Sequence, residues 1–318
     1  MVKLFAAKIA TFVVAFALSG VASAVDFLRD FTIALPPDAK AAVRLVVPPV
    51  SDAVLDKSGP FAPLFAVGPG DAVWFSIEPG VLIDATKRYR FRLDATVSDI
   101  TVINGGMLLI ATDDALGFFT TDIFASGKSG NASGQVAFQP IVTSPVSGAH
   151  LSPGANGSLY LFGAGREDGR YEVFLLAPEA TGSASNAPRM LRTMRKVFST
   201  TERIAAVAGD GEETFVASGR LIVKVSAAKK GMTAVLLHPK EEILGLARTR
   251  NGLLFYATSS GVGVVSPSGA VEFVKAPNVV LRSVGDDLYL LLRNSFAVVK
   301  VEGTVAFRTA NPSKSTKK

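Results

Sequence analysis

The apolar residues of this chain come in short blocks rich in Val, Ile, Leu, Phe and Tyr, cut apart by turns of Gly, Asn, Asp and Ser. Few windows place apolar residues at helical spacing, so the blocks predict β-strands joined by tight turns. Many blocks do not alternate apolar with polar: LLFYA at 253–257 is oily at every position. A strand of that kind is dry on both faces.

The blocks repeat. The clearest unit is ILGLARTR–NG–LLFYATS–SG–VGVVSPSG–AVEFVKA at 243–276, four strands separated by turns. The same order recurs at 280–310, 203–238, 149–180, 99–122 and 70–95. Second strands begin near Val73, Leu108, Leu159, Phe215, Leu254 and Leu288, and the five intervals between them average 43 residues. A four-stranded propeller blade takes about 40–45 residues. The pattern therefore predicts an all-β fold, a β-propeller of six four-stranded blades, whose middle strands are covered on both sides by neighbouring blades. The two longest intervals contain ASGKSGNASG (125–134) and ATGSASNAP (180–188), which are expected to be surface loops. An outer-membrane barrel is disfavoured, because its strands are about 10 residues long and alternate lipid-facing with lumen-facing side chains.

The ends read differently. Residues 1–24 have a lysine flank (Lys3, Lys8), an apolar stretch and a small-residue cleavage pattern, Ala22-Ser23-Ala24, as expected of a signal peptide. Cleavage after Ala24 would give a periplasmic or secreted protein with no transmembrane span left. Residues 25–60 hold two strand-like stretches, FTIAL and AVRLVV. They are expected to form a closing strand or a strap, since 304–310 could fill the last blade's edge alone. The propeller is placed at 61–310 and a basic tail at 311–318.

Charge and cysteine content narrow the chemistry. The net charge of +6 includes Lys3, Lys8, Lys314, Lys317 and Lys318, so residues 25–313 stand near +1. A nucleic-acid surface needs a persistent basic face, so that class of partner is excluded. No cysteine is present, which removes disulfides, thiolate metal sites and cysteine nucleophiles. His150 and His238 are the only histidines, and no G-x-S-x-G elbow opens a helix, which argues against serine hydrolysis. His238 is expected at a solvated strand end, and Trp74 in the core.

Turns between first and second strands carry Pro69-Gly70-Asp71, Asn104-Gly105, Asn156-Gly157, Asp210-Gly211, Asn251-Gly252 and Gly285-Asp286. Tight turns demand these residue types, so they are read as structural rather than as cation ligands. At the opposite face the starts of the innermost strands hold Asp99, His150, Glu202, Glu242 and Asn278, one polar residue per blade from the second to the sixth. Converging there, they would line a concave mouth suited to a small polar ligand. The segment 188–203 concentrates Arg189, Arg192 and Arg195. This is an outer edge guarded by charge, or the docking edge for another protein of the cell envelope.

The blade GLLFYATSSGVGVVSPSGAVEFVKA resembles those of NHL and senescence-marker-protein/gluconolactonase propellers. That resemblance implies six blades, an axial divalent cation such as calcium held by Glu, Asn and Asp, and lactone hydrolysis, with Glu242 about where such a blade places its glutamate. The family's tryptophan after that glutamate is replaced here by Ile243-Leu244-Gly245. The expected role is therefore a non-catalytic binding or protein-interaction module of the bacterial envelope without a cofactor, the alternative being a metal-dependent lactone hydrolase.

Overall fold

In a computed structural model, residues 43–48, 64–78, 80–85, 89–103, 106–119, 133–176, 193–226, 231–266, 269–274, 279–293 and 296–303 are described. The predicted signal peptide, Asn278, Arg189, Arg192, residues 304–310 and the basic tail lie outside them.

The first strand, β1 (Val43–Val47), belongs to the last sheet. Blade 1 is β2 (Leu64–Val67), β3 (Val73–Glu78), β4 (Val81–Asp84) and β5 (Tyr89–Leu93). Blade 2 is β6 (Val97–Ile103), β7 (Met107–Thr112), β8 (Ala115–Phe119) and β10 (Phe138–Thr143). Between its last two strands, β9 (Ser133–Val136) crosses over and pairs parallel with β5. Blade 3 is β11 (Val146–Pro153), β12 (Leu159–Gly165), β13 (Tyr171–Leu176) and β14 (Arg195–Thr200). Blade 4 runs through β15 (Ala206–Gly209), β16 (Glu213–Ser218), β17 (Leu221–Ser226) and β18 (Gly231–Leu237). Blade 5 comprises β19 (Gly245–Arg248), β20 (Leu254–Ala257), β21 (Val262–Ser266) and β22 (Gly269–Val274). Blade 6 is β23 (Val279–Val284), β24 (Asp287–Leu292) and β25 (Ala297–Val301), completed on its outer edge by β1.

The innermost strands β2, β6, β11, β15, β19 and β23 touch in that order and return from β23 to β2, so the ring is closed. The fold is a six-bladed β-propeller, with one departure from the sequence expectation. Blade 1 has five strands, because β9 occupies what the glycine-rich composition of 125–134 marks as loop.

Packing accounts for the oily strands. On β20, Phe255 and Ala257 enter a core shared with blade 6, while Leu254 and Tyr256 enter the core shared with blade 4. On β24, Leu288, Leu290 and Leu292 face blade 5, and Tyr289 and Leu291 face blade 1. Each strand thus feeds two inter-blade cores by the period-two alternation of its side chains. Burying one such side chain is worth about 1.5–3 kcal/mol, so neither face can be exchanged for polar residues cheaply. Trp74 is buried between blades 1 and 2.

Closure is fastened by charge. Arg44, Lys300 and Tyr289 stand in register across β1, β25 and β24. Asp71, in the β2–β3 turn of blade 1, accepts from all three: from Arg44, from Tyr289 Oη at 2.5 Å and from Lys300 Nζ at 3.1 Å. Burial works to raise the Asp71 pKa, but those hydrogen bonds outweigh it and hold the carboxyl at about 2. A carboxyl held below its unfolded value of about 4 stabilises the fold above that pH, and the contribution is lost as pH falls through the folded value. Asp71→Asn is therefore expected to flatten the acid limb of a stability–pH curve between pH 4 and 2. The effect should be about 1 kcal/mol once solvent screening is allowed for, measured by urea unfolding at a series of pH values. An unchanged acid limb would remove Asp71 from the clasp.

Candidate axial binding site

The inner strands begin at one mouth of the ring, where they surround a cavity of about 770 Å³. Asp99, His150, Glu202 and Glu242 all line it, one from each of blades 2 to 5. Asn278 lies outside the described residues. Three arginines not singled out by the sequence as ligand groups line it as well: Arg203, Arg282 and Arg293.

Asp99 is the hub. Its side chain is buried and accepts the backbone N–H of Ile100 at 2.8 Å and of Leu151, on the neighbouring blade, at 2.9 Å. His150 Nδ1 stands 3.6 Å from one carboxylate oxygen, and the Arg282 guanidinium 3.5 Å from the other. Arg282 spans the ring to get there. Its Nε donates to the Phe65 carbonyl of blade 1 at 3.0 Å and its Nη1 to Leu281 O at 3.1 Å. One guanidinium thus joins blade 6, blade 1 and blade 2 at the axis. The strand VVLRSV does carry a signal for this, an arginine in a mostly apolar inner strand, on the face that Val280 and Val284 turn toward blade 1.

The rim groups are freer. Glu202 accepts from Ser218 Oγ at 3.0 Å, and Glu242 is exposed. Its neighbour Glu241 faces away and accepts from Ser259 and Ser260, with bonds from Ser260, Thr258 and Ser259 holding its pKa at about 2. Arg293 is exposed at the cavity edge.

An axial calcium ion would take six to eight oxygen ligands. Among the described residues no three His, Asp or Glu side chains converge to hold a metal ion. Both Asp99 oxygens are engaged, and the cationic end of Arg282 stands where a metal's charge would be needed. The residues described here do not fit a metal. Nor do they form a serine triad. Ser152 lines the same cavity, but its hydroxyl is committed to the Val207 carbonyl at 2.6 Å.

The other predicted features fall elsewhere. At the far mouth the turn side chains are structural: Asp210 Oδ1 accepts the N–H of Glu212 and Glu213 while its Oδ2 pairs with Arg248 of blade 5 at 2.8 Å, and Asn251 Oδ1 accepts from Thr249 and Leu253. Gly211 and Gly252 there have φ of 94° and 89°, which explains the recurring glycine. His238 directly follows the end of β18 and is partly covered. It accepts the Glu241 N–H at 2.9 Å and lies 5.9 Å from the Tyr256 ring. Arg195 is exposed on the outer strand β14, beside Lys196, whose ammonium is paired with the buried Glu172. Both line a groove of about 350 Å³ against β18. Among the described residues no helix is long and apolar enough to cross a membrane.

No family model matches this sequence, and no curated protein matches it. Solved structures do share its shape. A luciferin-regenerating enzyme superposes with a TM-score of 0.53 at 13% identity, over 76% of this chain and 91% of that one. A calcium-binding regucalcin from Agrobacterium tumefaciens gives 0.50 at 13%, over 75% and 88%. A gluconolactonase from Xanthomonas campestris gives 0.50 at 12%, over 79% and 93%. At such identities the likeness concerns fold and not chemistry. In architecture, the chain is a six-bladed β-propeller, the fold it shares with these structures.

Proposed function

We propose that the protein is an exported, non-catalytic binding module of the bacterial envelope that receives a small polar ligand, or the polar end of a partner protein, in its axial mouth. The observation that carries this reading is the commitment of Asp99 to Arg282 and to two backbone N–H groups. The one buried carboxylate at the axis is locked as a structural anchor, while Glu202, Glu242 and Arg293 face a cavity of ligand size. The leader-like segment 1–24 supports a periplasmic or secreted location.

The rival reading, a divalent-metal-dependent lactonase, is favoured by the fold shared with the gluconolactonase. Calcium titration and a gluconolactone hydrolysis assay on purified protein separate the two. The expected result is no stoichiometric calcium, no hydrolysis above the buffer rate, and a mature N-terminus at Val25 in the exported fraction. Stoichiometric calcium lost in Glu202→Gln or Glu242→Gln, together with hydrolysis, would overturn the binding-module reading.

A further inference from the structure

The charges around the axial cavity are unevenly shared among the blades. Blade 6 supplies two guanidinium groups, Arg282 from β23 and Arg293 from the end of β24. Blade 5 supplies the carboxylate of Glu242, and blade 4 that of Glu202 with Arg203 beside it, from the residues just before β19 and β15. Asp99 faces Arg282 from 3.5 Å, and among the described residues Arg293 and Glu242 have no ion-pair partner. Like charges sharing a concave, partly desolvated space repel, and the repulsion is relieved by a ligand that brings the opposite charge to each side.

We infer that the cavity takes a small dipolar molecule, a short peptide or peptide-like zwitterion, with its carboxylate on Arg293 and Arg282 and its ammonium on Glu242 and Glu202. The planar guanidinium fork suits a carboxylate, which it can meet with two parallel hydrogen bonds. Two carboxylates on adjacent blades suit an ammonium, whose three donors can be shared between them. Because the two signs come from different blades across a 770 Å³ space, the ligand's charged ends should be separated by more than one residue.

This inference rests on the binding-module reading, and its test isolates it. Isothermal titration compares L-alanyl-L-alanine with N-acetyl-L-alanyl-L-alanine, which lacks the ammonium, with L-alanyl-L-alaninamide, which lacks the carboxylate, and with free L-alanine. The dipeptide is expected to bind at least about tenfold more tightly than each of the other three, a difference of about 1.4 kcal/mol. Glu242→Gln should erase the advantage over the acetylated peptide, and Arg293→Gln the advantage over the amide. Both side chains are exposed, so neither variant should disturb folding, and an unchanged melting temperature checks this. Equal binding of capped and uncapped peptides, or no binding of any, overturns the zwitterion assignment. Calcium binding with lactone hydrolysis would instead overturn the reading beneath it.

Discussion

Asp99→Ala is expected to lower the stability of the propeller by about 3–5 kcal/mol, the usual cost of removing one partner from a buried charge pair. The substitution does more than delete a carboxylate. It leaves the Leu151 N–H without its acceptor at 2.9 Å and the Ile100 N–H without one at 2.8 Å. It also strands the Arg282 guanidinium, whose side chain is only 15% exposed, near the axis with two carbonyls but no counter-charge. Each orphaned buried donor costs about 1–3 kcal/mol. Asp99→Asn keeps one acceptor oxygen and should lose less than the alanine variant. Chemical denaturation of both variants at neutral pH checks the ranking. If Asp99→Ala unfolds within about 1 kcal/mol of the parent, the axial knot contributes nothing and the binding-module argument loses its anchor.

Gly209→Ala should be nearly as damaging, at about 3 kcal/mol, for a steric reason. Gly209 ends β15, and a methyl group there would fall inside 3.0 Å of both the Glu213 carbonyl on the paired strand and the Tyr160 hydroxyl of the neighbouring blade. Neither can retreat freely. The Glu213 carbonyl belongs to the strand beside it, and Tyr160 is fully buried while accepting the Gly211 N–H at 2.9 Å. Gly245→Ala is the control. Its methyl group would meet the Ala257 side chain at 3.4 Å, an ordinary contact, and its cost should stay within about 1 kcal/mol. Thermal melts of the two variants should therefore separate clearly, and coincident curves would show that blades 3 and 4 can spread apart to admit a side chain.

The architecture was legible because each blade repeats its own reason for existing. LLFYA is apolar throughout because Phe255 and Ala257 serve one inter-blade core and Leu254 and Tyr256 another, so that a single run of letters reports two packed faces. Second strands predicted near Val73, Leu159 and Leu254 begin at those residues. The strand β9 was hidden because its four residues, SGQV, carry almost no apolar signal.

The site was half legible. Placing polar residues at strand starts brought Asp99, His150, Glu202 and Glu242 to one cavity, since position in the repeat fixes position around the axis. What such placement could not supply was function within the set. Nothing local to Asp99 distinguishes an anchor tied by two N–H groups from the exposed Glu242, because Arg282, the residue that decides it, lies 183 positions away. The same holds for Glu241 and Glu242, adjacent letters of which one clasps a serine turn and the other faces the cavity.

The ring is sealed by a strand near the beginning of the chain lying against one near its end, with Arg44 bonded to Glu302 across 258 residues. During synthesis VRLVV therefore emerges as an orphan ribbon whose mate does not yet exist. Until the sixth blade is made, that ribbon carries open hydrogen-bonding edges, the kind of surface on which incomplete chains adhere to one another. The ring can close only once the sixth blade has been made.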